Sequence, residues 1–131
     1  MLFRSEVYPK QEISVLMYSG AFNQKKDLAT KFMIAYLKGV RDYNDAMFKN
    51  QSDKKGEVVK VLTEKGGLPA DLVDNVFLPG INPNGTVNAD SLKSDQDWAL
   101  NRKIIKEKVD MDKLVDNSYA ENAVKTIGQY K

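Results

Sequence analysis

The sequence predicts a mainly helical α+β fold with about five or six helices and one β-strand. After Gln24, apolar residues recur at steps of three and four, which is typical of amphipathic helices. Residues 12–19 are instead apolar on both alternating faces, a pattern typical of a strand buried on both sides. We find no internal repeat, low-complexity tract or linker, and therefore predict that residues 1–131 form a single domain.

The predicted strand reads EISVLMYS over residues 12–19. Ile13 and Val15 fall on one face, whereas Leu16 and Tyr18 fall on the other. Because both faces are apolar, we expect the strand to lie inside a sheet, between covering elements. The rest of the sequence offers no second convincing strand to pair with it.

The longest helix is predicted over residues 27–48, which read DLATKFMIAYLKGVRDYNDAMF. Gly39 lies in the middle of this helix, where glycine costs roughly 0.5–1 kcal/mol relative to alanine. We therefore expect a neighbouring backbone to pass close to Gly39. A broad apolar stripe predicts the buried face of the helix: Leu28, Phe32, Met33, Tyr36, Leu37, Val40, Tyr43 and Met47.

A second helix is predicted over residues 54–65. Ser52 or Asp53 is suited to the N-cap because a short polar side chain can accept a hydrogen bond from a free backbone N–H. Gly66 is predicted as the C-cap. Asn88 is the predicted N-cap of a later helix. The remaining predicted elements are a short helix at 70–77, an ordered loop at 78–85, a helix at 89–103, a turn or short helix at 109–119, and a final helix at 119–130.

Composition excludes several classes of function. The 131 residues contain 20 Lys and Arg against 18 Asp and Glu, so the net charge of +2 gives no signal of a nucleic-acid partner. The absence of cysteine excludes a thiolate nucleophile and a Cys-based metal site. The absence of histidine removes the usual acid–base group at neutral pH and the commonest metal ligand. We expect no catalytic activity, no metal and no cofactor.

Paired carboxylates are the remaining candidate for catalysis or metal binding. Asp42 and Asp45 are three positions apart on the long helix, and further acidic residues occur at Asp95, Asp97, Asp110 and Asp112. A glycosidase or a metal site needs such groups to converge in a cleft. Most of these residues alternate with lysine and asparagine, as on a solvated helix face, so we expect them to be surface groups.

The chain contains no apolar run close to the roughly 18–20 residues that span a bilayer. Its first residues, MLFRSEVYPKQE, lack the charged head and apolar block of a secretory signal. We therefore expect either a cytoplasmic protein or a chain whose original N-terminus is missing from the sequence.

Four segments in order resemble one protein family: YPKQEISVLMYSGAF, ATKFMIAYLKGVRDYNDAM, GINPNGTVNADSLKSDQDW and MDKLVDNSYAENAVKTIGQY. They are similar to the C-terminal part of the periplasmic-type substrate-binding proteins of ABC importers. The branch is that of nitrate, sulfonate and taurine binders and of binders of thiamine pyrimidine precursors. The resemblance covers essentially the whole chain, but its segments are structural and do not identify a ligand.

The resemblance implies a C-terminal fragment of a type II periplasmic-binding-protein fold, with two α/β lobes and a ligand cleft between them. Residues 12–19 would be a hinge strand, and Arg4 and Tyr8 would face the cleft near it. The implied partners are a small-molecule solute and an ABC permease. The implied location of the full-length parent is periplasmic, or extracellular and membrane-anchored.

We therefore expect a solute-binding component of an ABC importer, acting in uptake of a sulfonate, nitrate or pyrimidine precursor through lobe closure. The alternative is a self-contained helical protein-interaction domain without a small-molecule ligand. A hydrolase with paired carboxylates is a third possibility. Because an unpaired apolar strand is a template for pairing, a homodimer through strand exchange of residues 12–19 is also expected.

Overall fold

The computed structural model describes residues 4–49, 52–75 and 78–131; within the helices it does not describe the side chains of residues 4, 5, 52, 70 and 74. These ranges contain helices and connecting segments but no β-strand, so the predicted α+β class is wrong. Eight α-helices follow one another in the described chain: α1 (Arg4–Val7), α2 (Gly20–Asn23), α3 (Lys26–Phe48), α4 (Ser52–Glu64), α5 (Ala70–Asn75), α6 (Ala89–Asn101), α7 (Met111–Leu114) and α8 (Ser118–Ile127).

The predicted strand at residues 12–19 is the main error. Residues 12–18 join α1 to α2 without regular structure, and their backbone groups make no backbone–backbone hydrogen bond within the described chain. Ser19 ends the segment as the N-cap of α2, where its hydroxyl accepts a hydrogen bond from the Phe22 N–H. A strand exists only where a neighbouring strand completes its hydrogen bonds, and no such neighbour is present in the described ranges. The predictions of a hinge strand and of a two-lobe α/β fragment are therefore wrong.

The predicted helices and one predicted cap are confirmed. Helix α3 begins one residue earlier than predicted and ends at Phe48 as expected. Asn88 caps α6, and its side chain accepts a hydrogen bond from the Ser91 N–H. At the end of α4, Gly67 adopts the left-handed conformation with φ of 69°, so the predicted glycine cap is shifted by one residue from Gly66.

The core lies where α3 packs against α8. Small side chains at Ala29, Ala120 and Ala123 are buried and allow the two helices to approach closely. Leu37 from α3 is 0% exposed and is the largest fully buried side chain. Tyr119 from α8 completes the core, and helix α4 packs on another side of α3.

Arg41 fastens the end of α8 to α3. Its guanidinium donates hydrogen bonds to the carbonyl oxygens of Pro83 at 3.0 Å, Ile127 at 3.3 Å and Gly128 at 2.7 Å. It also donates to Oδ1 of Asn84 at 3.2 Å. One side chain thus joins α3, the loop before α6 and the C-terminus of α8.

One residue of the predicted apolar stripe, Phe32, lies in an aromatic cluster at the surface rather than in the core. Phe32 is 43% exposed, and its ring lies edge-on to Tyr18 at 6.0 Å and to Phe22 at 5.9 Å between centroids. The prediction that Phe32 is a core residue is therefore wrong. The α3–α8 interface is narrower than the stripe, so part of the stripe meets smaller elements instead.

Gly39 does not mark a close helix crossing. A Cβ placed on Gly39 would meet nothing within 4 Å, so the expected approach of another backbone is wrong. Because the position is exposed and helical, we expect Gly39→Ala to raise the free energy of unfolding by about 0.5–1 kcal/mol. Urea denaturation followed by circular dichroism measures this change.

Gly67→Ala is the matched control. A Cβ at Gly67 also meets nothing within 4 Å, but its φ of 69° disfavours any residue with a side chain. We expect this second substitution to lower the free energy of unfolding by about 1 kcal/mol. A loss of stability in Gly39→Ala would contradict the structure of the helix around that residue.

Candidate functional site

Residues 12–18 form an extended segment that is attached to the helical body at both ends. At its beginning, the Glu12 N–H donates to the Ser91 hydroxyl at 2.9 Å. The Glu12 carboxylate accepts a hydrogen bond from the Asn88 N–H at 2.8 Å. Both partners lie at the N-terminus of α6, so the first turn of this helix fixes the start of the segment.

Tyr18 attaches the other end. Its hydroxyl donates to the Ala29 carbonyl oxygen at 3.0 Å, and its ring lies edge-on to those of Phe22 and Tyr119 at 5.0 and 5.1 Å. Burial raises the pKa of the Tyr18 hydroxyl, and interaction with Tyr119 adds to the increase. Tyr18 therefore stays neutral and serves as an aromatic anchor.

Between these anchors the extended segment is free of hydrogen bonds to the rest of the described chain. Ile13 and Met17 are 64% and 80% exposed, although both are large apolar residues. A stretch that is hydrogen-bonded only at its ends can move away from the body at lower cost than a strand in a sheet, although Val15 and Leu16 in its middle are more than half buried and line the space beneath it.

A cavity of about 300 Å³ lies between the extended segment and the helical body. We call it the covered cavity. Ser14 and Tyr36 line it, and neither hydroxyl has a hydrogen-bond partner within the described residues. Its other polar side chains are engaged: the Asn117 amide bonds both backbone groups of Val87, at 2.8 and 3.1 Å. Ser14 and Tyr36 are therefore the side chains best placed to exchange hydrogen bonds with a small molecule.

Asp116 also borders the covered cavity. Hydrogen bonds from the hydroxyl and the backbone N–H of Ser118 lower the pKa of the Asp116 carboxyl, so it carries a negative charge at neutral pH. Lys26 contributes to the same shift through its positive charge. The cavity therefore combines an apolar lining with hydroxyl groups, the ionised carboxylate of Asp116 and the carboxylate of Glu12.

A second concave surface of about 700 Å³ lies between α3 and α4, and we call it the helix groove. Its lining is mainly apolar, with Val58, Val61 and Leu62 contributed by α4. Gly39 lies on the α3 side, and because it has no side chain the groove stays open at this point. Tyr36 lines both the groove and the covered cavity.

An ion-pair cluster lies at the rim of the helix groove. The Lys54 ammonium is 2.8 Å from a carboxylate oxygen of Asp42 and 3.1 Å from one of Asp45, and these contacts raise the pKa of Lys54. The Tyr130 hydroxyl donates to Asp45 at 2.6 Å. That hydrogen bond is the main reason why the pKa of Asp45 is lowered, and Lys54 and Lys49 lower it further.

Of the two residues predicted to bind a ligand, only Tyr8 can be placed relative to the concave surfaces. Arg4 begins α1, and its side chain is outside the part of the chain that the structure describes. The Tyr8 hydroxyl is 2.9 Å from the Ser94 hydroxyl on α6, and Tyr8 lines neither surface. The sequence analysis did not predict Tyr36 as a site residue, because its position in an apolar stripe is typical of a core residue.

Five of the six candidate carboxylates form ion pairs with lysines. Asp42 and Asp45 converge on Lys54, and the other pairs are Asp97 with Lys108, Asp110 with Lys113 and Asp112 with Lys93. Asp95 instead accepts a hydrogen bond from the Gln11 amide at 3.1 Å. The described ranges contain no group of three or more acidic residues able to hold a metal ion. The side chains of Asp42, Asp97, Asp110 and Asp112 are more than half exposed, as expected for surface groups. Asp45 is the exception, because its side chain is only 15% exposed.

Comparisons of the chain with protein-family models, curated protein sequences and solved structures found no match. Among the described helices, none combines the length and the apolar character needed to cross a bilayer.

Proposed function

We propose that the chain is a non-catalytic solute-binding component of an ABC importer. The observation that carries the proposal is the covered cavity, which is bounded on one side by a segment attached only at its two ends. Its volume of about 300 Å³ suits a small nutrient and lies at the lower end of the usual range for ligand pockets. The four sequence segments resemble periplasmic-type binding proteins, but the described residues do not form the two-lobe fold that this resemblance implies, so the cavity alone supports the proposal.

The carboxylates of Asp116 and Glu12 line the cavity, and among the described residues no lysine or arginine does. These groups suit a solute with an amino group, such as taurine or an aminopyrimidine, better than they suit nitrate. Backbone N–H groups of residues 13–17 have no hydrogen-bond partner in the described chain and can donate to anionic oxygens. The hydroxyls of Ser14 and Tyr36 can donate or accept. The carboxylate of Asp116 accepts hydrogen bonds, which suits the amino group of a taurine or an aminopyrimidine.

Movement of the extended segment gives the solute a way in. Residues 13–17 make no hydrogen bonds to the described part of the body, so opening the cavity need not break the contacts of Glu12 or Tyr18. A solute that bridges the segment and Tyr36 would favour the closed arrangement, and a binding component delivers its cargo by such a shift of population. A solute-binding component of this kind would deliver its solute to an ABC permease. It would be located in the periplasm or be anchored to the outside of the membrane.

The proposal is tested by titrating the ¹⁵N-labelled chain with taurine, nitrate and an aminopyrimidine while following amide chemical shifts. We expect one of these solutes to shift the resonances of residues 13–17, Tyr36 and Asn117 in a saturable manner. Tyr36→Phe should weaken this binding. Tyr8→Phe is the matched control, because Tyr8 also carries a hydroxyl but lines neither concave surface. Absence of saturable shifts with all three solutes would overturn the proposal.

The helix groove favours a second candidate function, a self-contained helical protein-interaction domain. A third helix fits naturally between two packed helices, with apolar side chains directed into the groove. The lining carries Asp42 and Glu57 against Lys54, an excess of negative charge that favours a basic helix. A designed amphipathic peptide with leucines on one face and lysines on the other is the probe. Saturable shifts confined to α4 and Gly39, abolished by Val61→Lys, would favour this function over solute binding.

A further inference from the structure

We infer that the extended segment is a self-association site, where residues 13–17 of two copies of this chain pair as antiparallel strands centred on Val15. This inference concerns a partner and does not depend on the proposed solute. It rests on three properties of the segment: its unused backbone groups, the side chains that it exposes, and its attachment at both ends.

The backbone of residues 13–17 is available for pairing. The segment runs extended from Glu12 to Tyr18, yet none of its N–H or C=O groups takes part in a backbone–backbone hydrogen bond within the described residues. Unpaired extended backbone on a surface is a template for another strand. Pairing with a second copy would supply the hydrogen bonds that the chain does not supply itself.

The side chains are complementary to their own copy. In an antiparallel pair centred on Val15, each Ile13 lies opposite the partner's Met17, and Val15 lies opposite Val15. All three are exposed apolar residues on the same alternating face. Pairing would bring each of them into contact with its cross-strand neighbour, which removes part of their apolar area from water.

The segment also lacks the features that protect exposed edges. No charged residue and no proline occurs in residues 13–17, although lysine and proline are the usual protection against edge pairing. The nearest carboxylate in the segment, Glu12, already accepts a hydrogen bond from Asn88. No like charges would therefore face each other across the pair.

The anchors favour pairing by holding the segment extended beforehand. Glu12 is bound to α6 and Tyr18 to α3, so much of the entropy of straightening the backbone is lost on folding rather than on association. A second copy presents the same prepared segment, and the two-fold arrangement closes at a dimer. An unrelated partner would have to present an extended segment of its own that is likewise unpaired and already ordered.

The test measures mass against protein concentration by light scattering and sedimentation velocity, from micromolar to millimolar. We expect the weight-average mass to rise from the monomer value of 14.8 kDa towards twice that value. Val15→Lys should remain monomeric, because two ammonium groups would lie directly opposite each other. Ile104→Lys is the matched control, since Ile104 is 63% exposed and lies far along the chain from the segment; it should dimerise like the original chain.

A mixing experiment checks the register. Val15→Lys and Val15→Glu should each be monomeric alone, whereas an equimolar mixture should form a heterodimer because opposite charges then face each other. Circular dichroism establishes that both variants are folded. A monodisperse monomer of the original chain at millimolar concentration would overturn the inference, as would dimerisation of Val15→Lys or an equal loss in Ile104→Lys. Because residues 13–17 take part in both proposals, the solute titrations are carried out at micromolar concentration, where the chain is expected to be monomeric; failure of either proposal then leaves the other distinguishable.

Discussion

Leu37→Ala is expected to lower the free energy of unfolding by about 2–5 kcal/mol, as measured by urea denaturation. Leu37 is fully buried where α3 meets α8, so the truncation removes apolar contacts and leaves a cavity in the core. Leu28→Ala is the control on the same helix. Leu28 is 49% exposed, and its truncation should cost less than about 1 kcal/mol.

Gly85 provides a sharper check on the position of Leu37. A Cβ at Gly85 would lie 2.7 Å from Cδ2 of Leu37, and the φ of 74° adds conformational strain. Gly85→Ala should therefore destabilise the chain. In the Leu37→Ala background the clash is absent while the strain remains, so the second substitution should cost less than it does alone. Strict additivity of the two losses would contradict the packing of Leu37 against Gly85.

The helices were predictable because their signals are local. The apolar stripe of α3 recurs at helical spacing, and Asn88 stands directly before the helix that it caps. Each of these features depends on residues only a few positions apart. The misplaced cap at Gly66 shows the limit of such signals, because two adjacent glycines satisfy the same pattern equally well.

The extended segment was mistaken for a strand because a short run that is apolar on both faces indicates a preference for extended backbone and not the presence of a neighbouring strand. Its first anchor, Ser91, is 79 positions further along the chain. No local pattern indicates that a serine in the first turn of α6 will hold the backbone of Glu12 in place of a second strand. Tertiary contacts therefore decide between a strand and an anchored extended segment.

The two concave surfaces could not be predicted from the sequence for a related reason. Tyr36 and Gly39 both belong to α3, and their roles depend on where α4 and the extended segment lie. The sequence indicates that Gly39 needs an explanation, but it does not distinguish a close helix crossing from an open groove. The predicted residues Arg4 and Tyr8 came from the family resemblance, and Tyr8 contacts α6 instead of lining either surface.

Arg41→Ala is expected to lower the free energy of unfolding by about 2–4 kcal/mol, because charge-assisted hydrogen bonds are individually stronger than neutral ones. The guanidinium holds the carbonyl oxygens of Pro83, Ile127 and Gly128 at once, so its loss weakens the attachment of the end of α8 to the loop before α6. The hydrogen bond from the Tyr130 N–H to Asn84 remains. Thermal and urea denaturation measure the loss. Amide hydrogen exchange should locate it in the last turn of α8.

Arg41→Lys distinguishes the contribution of the positive charge at this position from that of the hydrogen-bond geometry of the guanidinium. Lysine keeps the positive charge, but it is a point donor on a flexible stem and cannot bind the carbonyl oxygens of Pro83 and Gly128 with a planar fork. We expect this variant to recover only a minor part of the stability lost in Arg41→Ala. Full recovery would mean that a cation near the C-terminus of α8 is sufficient, through its attraction to the negative end of the helix dipole. The four hydrogen bonds of Arg41 would then have little energetic importance.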